Sequence, residues 1–104
     1  MGITLSVLAS GSRGNSIYIA TDGVRLLVDA GLSAREIGRR LVTIGVSPQD
    51  IDGIIVTHEH LDHVRGVGSF ARRYKLPVYL NQRTHANLPE TVGRLKEKEE
   101  FVTG

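Results

Sequence analysis

The sequence predicts a small α/β domain. Two observations carry this. The first part of the chain alternates apolar and polar residues with period two, and from Ser33 onward apolar residues at helical spacing alternate with short β-branched runs. At 104 residues the chain fits one domain, with a core that is real but not generous.

Each element follows from local chemistry. Ile3–Ala9 reads as a strand with Ile3, Leu5 and Val7 on one face. Gly11-Ser12-Arg13-Gly14-Asn15 is turn chemistry. Residues 15–21 alternate again through Ile17 and Ile19, Asp22-Gly23 signals a tight hairpin, and Val24–Val28 is a third strand. The period then changes. Ser33-Ala34-Arg35-Glu36 matches a capping box, Ile37, Leu41 and Ile44 follow at helical spacing, and Gly45 sits where a helix stops. Ser47-Pro48 opens another short turn or helix. Ile54-Ile55-Val56 is a β-branched run that predicts a strand buried on both faces. Val67, Phe70, Ala71 and Tyr74 mark a helix with Arg72, Arg73 and Lys75 at its C-terminal end, where cations suit the macrodipole. Residues 77–80 form a short strand, and residues 82–88 one or two helical turns stopped by Pro89. Residues 90–100 are charge-rich, and Phe101-Val102-Thr103-Gly104 reads as a strand just beginning, unlike the end of a finished domain.

Composition excludes several classes. Forty percent hydrophobic and 23% charged residues rule out a disordered or fibrous chain. No apolar run approaches the ~18 residues a membrane helix needs, and Met1-Gly2-Ile3-Thr4-Leu5-Ser6 lacks the basic start and long apolar stretch of a secretion signal. A cytoplasmic location without membrane partners is expected. With no cysteine there is no disulfide framework and no thiolate site, so any metal must be held by His and carboxylate. Thirteen basic against 11 acidic residues give a net charge of +2, a weak pull on polyanions. Ten of the 13 cations are arginines, suited to phosphate, and Arg13, Arg65, Arg72 and Arg73 are candidates against a default of solvated surface. Five aromatics are thin for a base-stacking platform. Composition thus permits nucleic acid as a substrate without arguing for it.

The chemistry lies in Thr57-His58-Glu59-His60-Leu61-Asp62-His63, an H-x-H-x-D-H run that follows Ile54-Ile55-Val56. It therefore falls at the C-terminal end of a strand, where α/β proteins place ligand sites. Residues i and i+2 of extended chain point the same way, so His58 and His60 can share one metal. Asp62 and His63 follow as the backbone turns toward the next helix, and they can hold a second. Imidazole and carboxylate without thiolate suit Zn²⁺ and tolerate Mn²⁺ or Fe²⁺. Glu59 is expected to face solvent, and His85 stands isolated.

These residues, with Leu27-Val28-Asp29-Ala30-Gly31, resemble the metallo-β-lactamase superfamily. Ser10-Gly11-Ser12-Arg13-Gly14-Asn15-Ser16 and Gly66-Val67-Gly68 extend the likeness to its YycJ/WalJ-type branch. The resemblance implies an αββα four-layer sandwich with metals at one edge. It implies two Zn²⁺ ions, the first on His58 and His60, the second on Asp62 and His63, with Asp62 also the candidate catalytic residue. Asp29 would stand behind the ligands and order the metal loop by hydrogen bonds.

Members of that family are longer and take further ligands from their later half, for which His85 comes too soon. Residues 1–104 are therefore expected to be the N-terminal half of a single such domain, with a weakened metal site. The implied activity of the complete protein is hydrolysis by a metal-activated water, on phosphodiester bonds of nucleic acid. Alternatives are a hydrolase of a small ester, lactone or thioester on the same scaffold, and a truncated metal-binding fragment that catalyses nothing. Half a sandwich leaves one sheet face uncovered, so self-association or a complementing C-terminal half is expected.

Overall fold

The computed structural model describes residues 2–89, 92 and 98–100. Among these, six strands form one mixed sheet in sequential order: β1 Ile3–Ala9, β2 Ser16–Thr21, β3 Val24–Val28, β4 Gly53–Ile55, β5 Val78–Leu80 and β6 Lys98–Glu100. The pairs β1–β2 and β2–β3 are antiparallel, and each later strand joins in parallel. Parallel neighbours need crossovers. These are α1 Ala34–Thr43 with a 3₁₀ turn at Pro48–Asp50, then α2 Leu61–Val64 and α3 Val67–Tyr74; α4 Gln82–Ala86 follows β5.

Local chemistry explains the joints. Asp22 and Gly23 take φ of 41° and 84°, the two positive values of a type I′ hairpin turn. Ser33 Oγ accepts a hydrogen bond from the Glu36 backbone N–H at 3.2 Å, capping α1 as expected. The reciprocal half of the capping box is replaced: the Glu36 carboxylate pairs with Arg39 and Arg40 at 3.4 and 3.2 Å. At the other end the Gly45 N–H bonds Val42 O and the Val46 N–H bonds Leu41 O, both at 2.9 Å, a Schellman closure. Ile44 is therefore the C-cap residue, 40% exposed, and not part of the buried stripe the spacing suggested.

Strand register divides the sheet into two unlike faces, because directly opposed residues share a side. Tyr18, Leu27, Ile54 and Val78 form one row across four strands. All four are buried, and they share a core with Ile37 and Leu41 of α1 and Val67 and Phe70 of α3. The opposite face carries the rows Val7–Ile17–Val28–Ile55–Tyr79 and Leu5–Ile19–Leu26–Gly53. Ile3, Leu5 and Val7 on that side are 74, 58 and 59% exposed, and Ile17, Ile19, Leu26, Val28 and Ile55 are half-buried. So β4 is not buried on both faces as its composition predicted: Ile54 is covered and Ile55 is not.

One further difference concerns the later chain. The charge-rich segment contains a strand, β6, paired with β5, while the strand expected from Phe101 lies outside the described residues. Among the described residues no helix is long and apolar enough to cross a membrane.

The two faces should respond differently to truncation. Phe70→Ala, in the filled core, should cost about 3–5 kcal/mol by denaturant titration. Leu5→Ala, on the open face, should cost less than about 1 kcal/mol. Equal losses would mean that the face carrying Leu5 is covered.

Candidate metal centre

The site is built where β3 and β4 end side by side. Asp29 follows β3 with φ of 63°, a left-handed conformation that Asp tolerates better than most residues. Its backbone is held on both sides: its N–H donates to Ile55 O at 2.7 Å, and Ser16 Oγ donates to its carbonyl at 2.8 Å. Its side chain is thereby aimed at the residues after β4. The Thr57 backbone N–H donates to Asp29 Oδ1 at 2.8 Å, and Thr57 Oγ1 donates to Asp29 Oδ2 at 2.6 Å. His63 Nδ1 lies 2.7 Å from the same Oδ2.

This network assigns the imidazole tautomers. An ionised carboxylate only accepts, so His63 carries a proton on Nδ1, and in the neutral ring Nε2 then keeps a free lone pair. The Thr57 hydroxyl has spent its proton on Asp29, so at 2.9 Å it accepts from His58 Nδ1–H. His58 Nε2 is freed in the same way. The two imidazole centroids are 4.8 Å apart. Potential ligand atoms of Asp29, His58 and His63 all lie within 4.8 Å of one another.

Asp62 and His63 both ride on α2, a separate short helix where a continuous turn into the next helix was expected. Asp62 Oδ2 is 3.7 Å from His63 Nε2. Its own orientation comes from Asn15, which the sequence reading placed in a turn and gave no role. Asn15 Nδ2 donates to Asp62 Oδ2 and to Asp62 O, each at 3.1 Å, and the Asn15 backbone N–H donates to Asp62 O at 2.7 Å. Asn15 O in turn accepts from Gly31 N–H, and Ala30 N–H donates to His63 O, both at 2.9 Å. These contacts need bare backbone: a Cβ on Gly31 would overlap Asp62 O, and one on Gly14 would press on Leu32 and Gly31. The two glycines and the Asn of the first turn were the available signal, but nothing in their spacing pointed to residue 62.

The remaining candidates divide. His60 is the N-cap residue of α2, exposed, with its ring 6.3 Å from that of His58, outside the tight group. Glu59 is half-buried where solvent exposure was expected. His85 lies on α4, and no group of three potential ligands among the described residues includes it. Arg72 is committed elsewhere, donating to Val92 O at 2.9 Å.

The donor set fits a borderline divalent ion. Two neutral imidazoles present Nε2 lone pairs, a carboxylate stands beside one of them, and each ring is fixed from behind by a hydrogen bond to its other nitrogen. Both oxygens of Asp29 are already engaged, Oδ1 by the Thr57 N–H and Oδ2 by Thr57 Oγ1 and His63 Nδ1.

A fold that ends two parallel strands on such a cluster is that of the metallo-beta-lactamase superfamily, to which this chain belongs: the family's model matches residues 9–102. The Rm3 metallo-beta-lactamase superposes with a TM-score of 0.77 at 21% identity, over 92% of this chain and 41% of that one. In sequence, the chain is 44% identical over 102 residues to the exodeoxyribonuclease YycJ of Bacillus anthracis, covering 98% of this chain and 39% of the relative. It is 50% identical over 84 residues to the exodeoxyribonuclease WalJ of Streptococcus pneumoniae serotype 2 (strain D39 / NCTC 7466), covering 81% of this chain and 31% of the relative. The chain thus spans less than two fifths of the length of these two relatives.

The tautomer assignment is directly testable. Nitrogen-15 NMR of metal-free protein should find His58 and His63 as Nδ1–H tautomers. Asp29→Asn should move His63 toward the mixture seen in free imidazole. An Nε2–H tautomer at His63 in the unaltered protein would contradict the network.

Proposed function

We propose that this chain carries the metal-binding part of a metal-dependent hydrolase that cuts phosphodiester bonds of nucleic acid. The observation that carries the reading is the pair of imidazoles, His58 and His63, whose Nε2 atoms are freed by hydrogen bonds to Thr57 and Asp29 beside the Asp62 carboxylate. The choice of phosphodiester is supported by the two exodeoxyribonuclease relatives.

In this reading His58 and His60 hold one ion and Asp62 and His63 a second, with Zn²⁺ preferred on the chemistry of the donors. Such ions supply Lewis acidity, acidifying water and offsetting charge on phosphoryl oxygens. The chain's own part is orientation. Asp29 keeps His63 in the ligating tautomer, Thr57 does the same for His58, and Asn15 stops the Asp62 carboxylate from turning away. Asp62 is the one candidate here for handling a proton of the attacking water. Residues 1–104 form the N-terminal part of a single domain, and a cytoplasmic location accords with this reading. The ligands that complete each coordination sphere come from a complementing polypeptide segment. The same segment, or a second copy of the chain, covers the open sheet face.

In the native protein, single-stranded DNA and bis-p-nitrophenyl phosphate should be hydrolysed, a thioester should not, and chelator should abolish turnover. His63→Ala should remove it, and Asp29→Asn should weaken Zn²⁺ affinity by about 10–100-fold in a chelator competition. Thioester cleavage without phosphodiester cleavage would overturn the substrate class, and turnover by a verified 104-residue chain alone would overturn the need for complementing ligands.

Light scattering of the isolated chain should give masses above the 11.3 kDa of a monomer, rising with concentration. Leu5→Lys with Ile19→Lys should suppress the rise. A monodisperse monomer with a sharp cooperative melt would contradict it.

A further inference from the structure

Away from the histidine cluster, a groove of about 670 Å³ runs along α1 and past the C-terminal end of α3. Gly38 and Pro48 are among the residues that line it. Arg35 and Arg39 line it from α1, one turn apart on the same helix face, and Arg73 lines it from α3 beside Tyr74. No carboxylate lines it among the described residues. Glu36, the acidic residue nearest in sequence, divides its carboxylate between Arg40 and a loose contact to Arg39, whose side chain is 72% exposed and so weakly neutralised. The Arg73 guanidinium carbon lies 5.6 Å from the centroid of the Tyr74 ring, within cation–π range.

The position of the groove gives this charge a direction. One end is Ala34, at the N-terminus of α1. A Cβ on Gly66 would sit 3.1 Å from Ala34 N, and Gly66 closes the turn immediately after α2. The groove therefore starts beside the helix that carries Asp62 and His63 and leads away from it for the length of α1, about 15 Å at 1.5 Å per residue.

We propose that this groove is a track for the phosphodiester backbone of single-stranded nucleic acid extending from the histidine cluster, an inference that rests on the phosphodiesterase reading. Its three arginines take consecutive phosphates. The groove is large enough for nucleotide-sized groups. Charge supplies the affinity, in keeping with a composition poor in aromatics.

The test is binding of a fluorescein-labelled oligothymidylate by anisotropy, in chelator so that no strand is cut. Each phosphate contact on a single strand contributes about −0.7 to the slope of log K against log salt. Arg35→Gln with Arg39→Gln and Arg73→Gln should therefore flatten the slope by about 2 and lower affinity at least tenfold at low salt. Arg83→Gln, on α4 outside the groove, should leave the slope as it is. Photo-crosslinking of a 4-thiothymidine oligonucleotide to unaltered protein, mapped by peptide mass, should mark the segment containing Tyr74 and needs no variant to fold. An unchanged slope in the triple variant, crosslinks confined to other segments, or displacement of the oligonucleotide by polyglutamate as readily as by unlabelled DNA would each overturn the proposal. Turnover of bis-p-nitrophenyl phosphate by unaltered protein reads the metal site separately. Its absence would defeat the phosphodiesterase reading while leaving the track's binding measurable.

Discussion

The structure depends on one buried carboxylate. Asp29 is 5% exposed. An ionised group so placed persists only when its lone pairs are engaged, since burying it bare is costly. Here the donors are Thr57 N–H, Thr57 Oγ1–H and His63 Nδ1–H, and they come from the two ends of the stretch that carries the histidines. Satisfying the carboxylate and shaping the site are the same act. Thr57 cannot bond Asp29 without handing its acceptor to His58, and His63 cannot bond Asp29 without turning Nε2 outward. The unusual φ of Asp29 fits this account, because the left-handed step redirects the chain off β3 and points the side chain across at β4.

The second constraint is backbone contact without side chains. The turn at residues 11–15, the stretch 29–31 and α2 are laced by N–H···O bonds of 2.7–2.9 Å through Asn15, Ala30, Gly31 and Gly66. Segments this irregular must still satisfy their polar groups, and here they do so with one another. The site is thus carried by loops that have the order of a small sheet, anchored to the ends of β2, β3 and β4. That explains how a helix of one turn, α2, can hold Asp62 and His63 in a fixed relation, which so short a helix could not do alone.

Much of this was legible in the sequence, and the parts that were not share a cause. The type I′ turn at Asp22-Gly23, the Ser33 cap, the stop at Gly45 and the H-x-H-x-D-H run are local chemistry, written within a few residues. Asp29 was readable because it ends an apolar strand within a motif that resembles a known family. Asn15 was not, since its partner lies 47 positions away and a turn Asn has ample local reasons to exist. Ile44 misled because helical spacing continues past the residue where the Schellman closure takes over. Residues 98–100 carry a charged sequence, Lys-Glu-Glu, and lie in a strand because β5 offers an edge, which is tertiary context overriding propensity. Ile55 misled in the opposite sense: a β-branched run reports that a strand is apolar on both faces, not that both faces are covered.

That last distinction links the open face to the chemistry. Val28 and Ile55 are opposed in the outermost row of the uncovered side, and each lies within two residues of Asp29 or Thr57. Covering the sheet would exclude water from the strand ends on which the carboxylate network rests. Electrostatic interactions strengthen as the local dielectric falls. The hydrogen bonds from Thr57 and His63 to Asp29 would tighten, and the imidazoles would be held more firmly in the ligating tautomer. Closure of the apolar face and competence of the histidine cluster are therefore one problem in physical terms. A surface that covers the row through Val28 and Ile55 would shield the strand ends beside Asp29 and Thr57 even where it contributed no ligand.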